Sequence, residues 1–167
     1  MNYAKLFSQL KRHEGLRLSA YKCSAGYWTI GYGRNLETNG LSTSEQFALL
    51  GEGYLTNQEV IDRLKASTIT EEQADILFQN DLANVEENCY QAFCFSGHSD
   101  ARRAVIINMV FQMGLKGVLN FTNTLKAFDA KNYDECADQM LDSKWFKRDT
   151  PSRAQELADQ MRSGEWQ

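Results

Sequence analysis

"ARRAVIINMVFQMG", Ala101 to Gly114, is apolar nearly all round beyond Arg103. A helix with no polar face cannot lie on a surface, so this stretch predicts the buried centre of a helical lobe. Asp100 precedes it as the expected cap. The segments after it repeat at helical spacing: 121–130, 133–141, 143–146, and 151–162 with Thr150 as cap and Pro151 at the first position.

Upstream of Ala101 the periodicity is mixed. Tyr3 to Glu14 reads as a helix with Leu6, Phe7 and Leu10 on one face and Gly15 as its stop. From Leu18 to Gly33 the period drops to two. Tyr27, Thr29, Gly31 and Gly33 alternate with Trp28, Ile30 and Tyr32, and Ser24-Ala25-Gly26 suits a hairpin turn. Residues 35–56, rich in Gly, Ser, Thr and Asn, read as loop and short strand, with a short helix near 44–50. Residues 57–66 form a helix. Thr70 and Gln73 then make a capping box for a long helix to about Gln91, roughly 30 Å at 1.5 Å per residue. The fold class is α+β: a small antiparallel sheet in the N-terminal third, then a mostly helical lobe joined to it by the long helix. The whole chain, 1–167, is read as one domain, with lobes of about 13–69 and 1–12 plus 70–167.

The net charge is −4 and uneven. Residues 1–40 carry six Lys and Arg against two Glu, while residues 41–99 carry two basic against ten acidic side chains. No dense basic stripe with interleaved aromatics occurs, so nucleic acid is not an expected partner. No apolar run reaches the ~18 residues of a membrane span. The N-terminal stretch lacks the apolar core and cleavage site of a signal peptide, so folding in a cytosol is expected. The four cysteines form no CxxC pair and there are only two histidines, so no metal and no cofactor are expected. Four free thiols are expected, three of them small core residues.

Glu14 ends its helix, where negative charge is unfavourable. Packed against a hairpin, such a carboxyl can act as a general acid. A solvated surface carboxylate is the plain alternative. Glycosidic cleavage usually takes a second carboxylate across the scissile bond, yet residues 15–36 contain no Asp or Glu. Cys23 and Thr29 are the nearby groups able to hold a water or attack. A cysteine hydrolase with His13 or His98 as base competes, but nothing in the sequence places either histidine beside Cys23.

The stretches "EGLRLSAYK", "GYWTIGYGR", "ITEEQADILFQND", "DARRAVIINMVFQMG", "NFTNTL" and "TPSRA", in this order, resemble the phage lysozymes (endolysins) of the T-even type. The likeness spans nearly the whole chain. Residues 35–67 match poorly and are longer than usual, and 89–99 look shortened. The resemblance implies a two-lobed lysozyme fold with a cleft. It implies hydrolysis of the β-1,4 bond between N-acetylmuramic acid and N-acetylglucosamine in peptidoglycan, with host lysis as the outcome. It places Glu14 as the general acid, Thr29 across the cleft, and Cys23 where the family has an aspartate. Phe111, Gln112, Thr124 and Gln139 fall at or near saccharide-lining positions, and Asn35 near another. Arg153 matches an arginine that pairs with the catalytic glutamate. Where the family commonly has His after "GYG", this chain has Arg34. A monomer is expected, made in the host cytoplasm, without membrane insertion, and released to the wall at lysis. A lysozyme fold that kept sugar recognition and lost catalysis is the alternative, supported by Cys23. Inversion is expected, with Cys23 and Thr29 holding the attacking water. Glu14 is expected to raise the Cys23 thiol pKa and keep it neutral.

Overall fold

A computed structural model describes residues 1–167. The elements run α1 (Tyr3–Glu14), β1 (Arg17–Lys22), β2 (Trp28–Gly31), β3 (Arg34–Asn35), α2 (Thr43–Leu50), α3 (Asn57–Ala66), α4 (Glu71–Ala92), α5 (Asp100–Leu119), α6 (Thr122–Asp129), α7 (Tyr133–Leu141), a π-helical turn (Trp145–Asp149) and α8 (Pro151–Ser163). The class is the α+β expected. The chain divides into two compact units, residues 11–83 and residues 1–10 with 84–167. Helices α1 and α4 each contribute residues to both.

In the N-terminal unit the three strands pair antiparallel in the order β1-β2-β3. Cys23 and Tyr27 close the hairpin: Cys23 N donates to Tyr27 O (3.0 Å) and Gly26 N to Cys23 O (2.8 Å). Tyr21 faces Thr29, and Thr29 faces Asn35 in turn. The outer edge of β1 is covered by the chain after α3, where Ile69 N donates to Leu18 O (2.9 Å). That cover satisfies backbone groups an open edge would leave unpaired.

Arg34 is the buried polar centre of this unit, 6% exposed. Its Nε donates to both oxygens of Asp81 (2.9 Å each). Its Nη1 and Nη2 donate to the two oxygens of Glu45 (3.0 and 2.9 Å) and to the carbonyls of Gly40 and Leu77 (3.2 Å each). All five guanidinium N–H groups are thereby used, which a lysine could not match. Glu45 also completes the Ser42 capping box of α2, accepting from Ser42 N (2.8 Å), and accepts from Asn80 Nδ2 (2.8 Å). One arginine thus ties β3, α2 and α4 together.

In the C-terminal unit, Ala104 to Met109 of α5 are fully buried, as the apolar run predicts. Several local features differ from the sequence pattern. Ser99, not Asp100, caps α5: its side chain accepts from Arg102 N, because a hydroxyl one residue earlier reaches the N3 amide. The helix breaks at Gly114, whose φ of 74° and ψ of 159° only glycine adopts cheaply, and resumes to Leu119. Thr150 precedes α8, but its side chain makes no cap bond and instead accepts from Gln112 Nε2 (3.0 Å). On α1, Gln9 rather than Phe7 joins Leu6 and Leu10 in the core, its Nε2 donating to Gln160 Oε1 (2.7 Å) and Glu156 Oε1 (3.0 Å). All four cysteines are free; Cys89 and Cys136 are buried, but Cys94 is exposed, so two thiols rather than three are core. Burial pushes each of the two buried thiols up to about 12. No single helix is long and apolar enough to cross a membrane; α5 and α6 pass that test only as a pair bent by 105°.

Removing one partner of a buried charge cluster leaves the others unpaired. Arg34→Ala is expected to cost about 3 kcal/mol in urea unfolding. Burial alone would raise the Glu45 carboxyl, but Arg34, Asn80 and the Ser42 amide hold it at about 2. Its folded value thus lies below the unfolded value of ~4.3. This stabilisation is complete above the unfolded value and drains away as pH falls toward about 2. Asp81 shares the same cation, yet burial first and the charge of Glu45 push its carboxyl upward. The acid response is therefore carried by Glu45, and Glu45→Gln should flatten the slope of stability against pH below about 4.3. An unchanged slope in that variant would remove Glu45 from this role.

Candidate active site

Glu14 is the last residue of α1, and the turn into β1 follows at once. Its carboxylate lies against Gly33: a Cβ there would sit 3.6 Å from Oε2. Gly33 also has a φ of +96°, so a side chain at this position would be strained by the backbone although it would meet Glu14 only at ordinary contact distance. Tyr21 lies close enough to feel the charges of both Glu14 and Cys23, and burial first raises its hydroxyl pKa. These groups gather because α1 ends where the hairpin begins and because the hairpin register places Tyr21 opposite Thr29.

Cys23 sits at the base of the hairpin turn, half-buried. Thr29, 3% exposed, donates its hydroxyl proton to Tyr27 O (3.1 Å). The same hydroxyl bonds the Cys23 thiol. A threonine has one proton to give: beside the neutral thiol it rests on Tyr27 O, and beside the thiolate it turns to the sulfur. The thiol pKa is lowered from its ordinary value, first by the backbone N–H of Tyr27, against slight burial, then by Ala25, Thr29 and Gly26. The expectation that Glu14 would raise it is corrected. The N–H groups of a tight turn converge on the sulfur and favour its anion.

Asn35 stands opposite Thr29, but its Oδ1 accepts from Glu37 N and Thr38 N (2.9 Å each). That oxygen shapes the following turn. In the C-terminal unit, Gln112, Thr124 and Gln139 line one cavity of about 560 Å³, and Phe111 is not among its lining residues. Gln112 bridges Thr150 and Trp145, accepting from Trp145 Nε1 (3.0 Å). Gln139 Nε2 donates to Glu135 Oε1 (2.8 Å). Arg153 Nε donates to Asn108 Oδ1 (2.9 Å), anchoring the guanidinium to the buried face of α5.

Sequence reasoning missed the aromatic wall of this cavity. Phe121 and Trp145 meet edge to face at 6.1 Å, and both line it. Such rings suit the apolar faces of a sugar. The signal was the "KWF" run after a helix, which periodicity alone reads as packing.

Residues 11–160 match the phage lysozyme family, and the chain belongs to that family. A probable T4-type lysozyme of Dictyostelium discoideum is 31% identical over 159 residues, covering 93% of this chain and 92% of the relative. An endolysin of Acyrthosiphon pisum secondary endosymbiont phage 1 is 27% identical over 150 residues, covering 83% and 75%. The pre-baseplate central spike protein Gp5 of Enterobacteria phage T4 is 29% identical over 151 residues, covering 87% of this chain but only 25% of that protein.

The Cys23 environment has a direct consequence. Alkylation of Cys23 by iodoacetamide, followed by mass spectrometry across pH, should give a midpoint below that of free cysteine. Thr29→Val should move the midpoint upward by removing one donor. A midpoint at or above that of free cysteine would contradict the turn's electrostatics.

Proposed function

We propose that this protein is an endolysin-type muramidase, hydrolysing the β-1,4 bond between N-acetylmuramic acid and N-acetylglucosamine in peptidoglycan. The observation that carries the reading is the grouping of Glu14, Cys23 and Thr29 around one hairpin, in a chain of the phage lysozyme family. Glu14 donates its proton to the glycosidic oxygen. Cys23 and Thr29 hold a water on the opposite face of the sugar, and that water attacks the anomeric carbon. As the water attacks, its proton passes to the Cys23 sulfur in the thiolate form that the turn's donors favour, the acceptor a carboxylate would otherwise supply. The Thr29 oxygen keeps a lone pair to accept from a bound water.

Gln112, Thr124 and Gln139 are assigned to saccharide binding, with Phe121 and Trp145 offering apolar faces to the sugar rings. Phe111 and Asn35 are likewise assigned to saccharide binding. Arg153, anchored by Asn108, is assigned to hold the Glu14 carboxylate in its working orientation. The protein acts as a monomer on the wall after release from the host cytoplasm at lysis.

Clearing of a suspension of bacterial walls tests the reading. Glu14→Gln should abolish clearing. Cys23→Ala should slow it by at least about 100-fold, the low end for loss of an acid–base group, whereas Cys23→Asp should keep or improve it. Full activity in Cys23→Ala would remove that residue from the mechanism. Sedimentation with the walls but no clearing by the unmodified protein would favour a binding protein instead.

A further inference from the structure

The C-terminal unit holds a second cavity, of about 560 Å³, that the lytic site does not use. Its lining includes Phe93, Leu119 and Leu125 on the apolar side, and His98, Asp129 and Lys131 on the polar side. His98 is 7% exposed. Its ring is stacked on Phe128 with centroids 3.9 Å apart, and its Nδ1 lies 3.1 Å from the Tyr133 hydroxyl. Nε2 makes no hydrogen bond, yet it is not sealed from solvent. A ring fixed on one face and at one nitrogen, with its other nitrogen open, is built to meet something that enters the cavity.

The charged groups point the same way. Asp129 and Lys131 are two residues apart at the end of α6, and both line the cavity. Neither takes part in an ion pair. Lys131 has a φ of +57°, where the residue after a helix is ordinarily glycine. Its ammonium lies over Gly97, so closely that a Cβ on Gly97 would collide with Nζ. A strained backbone that carries an unpaired cation to a cavity rim is a feature worth a functional explanation. A cation ligand site is a poor fit, since no three His, Cys, Asp or Glu side chains converge to hold a metal.

We propose that this cavity binds a small zwitterion of the α-amino-acid type with an apolar side chain. Lys131 takes the carboxylate, Asp129 takes the ammonium, and His98 Nε2 adds a hydrogen bond. Phe93, Leu119 and Leu125 receive the apolar group. A simple anion would leave Asp129 repelling it, and a simple cation would face Lys131; only a ligand with both charges satisfies both. Burial first and the nearby Lys131 ammonium keep His98 below its ordinary pKa, so the ring meets the ligand neutral. The proposal stands apart from the lytic reading and shares no residue with it.

The chain has two histidines, His13 and His98, so their ring signals in a nuclear magnetic resonance spectrum are few and separable. The full chain is titrated with phenylalanine, with 3-phenylpropionate and with phenethylamine; a His13→Gln variant assigns the signals. Phenylalanine should shift the His98 signals saturably and leave His13 in place. Each single-charge analogue should bind at least about tenfold more weakly, the worth of one charge-assisted hydrogen bond. Lys131→Asn, which tolerates the left-handed backbone, and Asp129→Asn should each weaken phenylalanine by about tenfold. Both are exposed and should leave the remaining spectrum native. No saturable shift at His98, equal binding of the analogues, or unaltered binding in both variants would overturn the proposal.

Discussion

The buried guanidinium of Arg34 is the interaction on which the N-terminal unit depends. A cation removed from water is unfavourable unless nearly every donor is matched, and here Glu45, Asp81 and two backbone carbonyls match all five. The consequence is geometric. Arg34 pairs with Ile30 across β2 and β3, and Thr29 pairs with Asn35 beside it. Gly33, one residue before the arginine, is the surface against which the Glu14 carboxylate rests. Fixing Arg34 to α2 and α4 therefore fixes the wall behind Glu14 and the strand that carries Thr29. The carboxylates that make this possible come from elements far apart in sequence, so the hub closes only when the unit folds.

Much of this architecture was legible from residues alone. The helices 3–14 and 57–66 and the long helix from the Thr70–Gln73 box are where periodicity and capping put them. The hairpin was readable because alternation and a Ser-Ala-Gly turn agree. The rest failed for identifiable reasons. Within residues 35–56 the short helix expected near 44–50 is α2, but the capping box in "STSE", from Ser42 to Glu45, that starts it was not read. The same Glu45 is the bidentate partner of Arg34, a long-range role that no local pattern displays. Gly114 closes the apolar run in the sequence, but it is a break within a helix that continues to Leu119. Cysteine is usually buried, yet Cys94 lies exposed on the chain after α4.

The candidate site was readable in identity more than in chemistry. Glu14, Cys23 and Thr29 stand out by spacing and by resemblance. What the sequence could not supply was the set of backbone donors around the sulfur. Charge reasoning placed Glu14 beside Cys23 and expected a raised thiol pKa. Folding instead turns the amides of residues 25–27 toward Cys23, and their local dipoles lower it. Thr29 then has a double part, its hydroxyl proton resting on Tyr27 O beside the neutral thiol and turning to the sulfur when the thiol ionises. In the C-terminal unit, Trp145 escaped notice because its partner, Gln112, lies 33 residues earlier.

A sulfur that accepts hydrogen bonds and orients a water leads to a different product from a sulfur that attacks carbon. Water attack opposite the leaving oxygen inverts the anomeric centre, whereas a thioglycosyl intermediate would retain it after two displacements. Proton magnetic resonance of the first reducing ends released from a soluble peptidoglycan fragment distinguishes the two before mutarotation mixes them. The account predicts the α anomer first; the β anomer first would contradict it and make Cys23 the nucleophile.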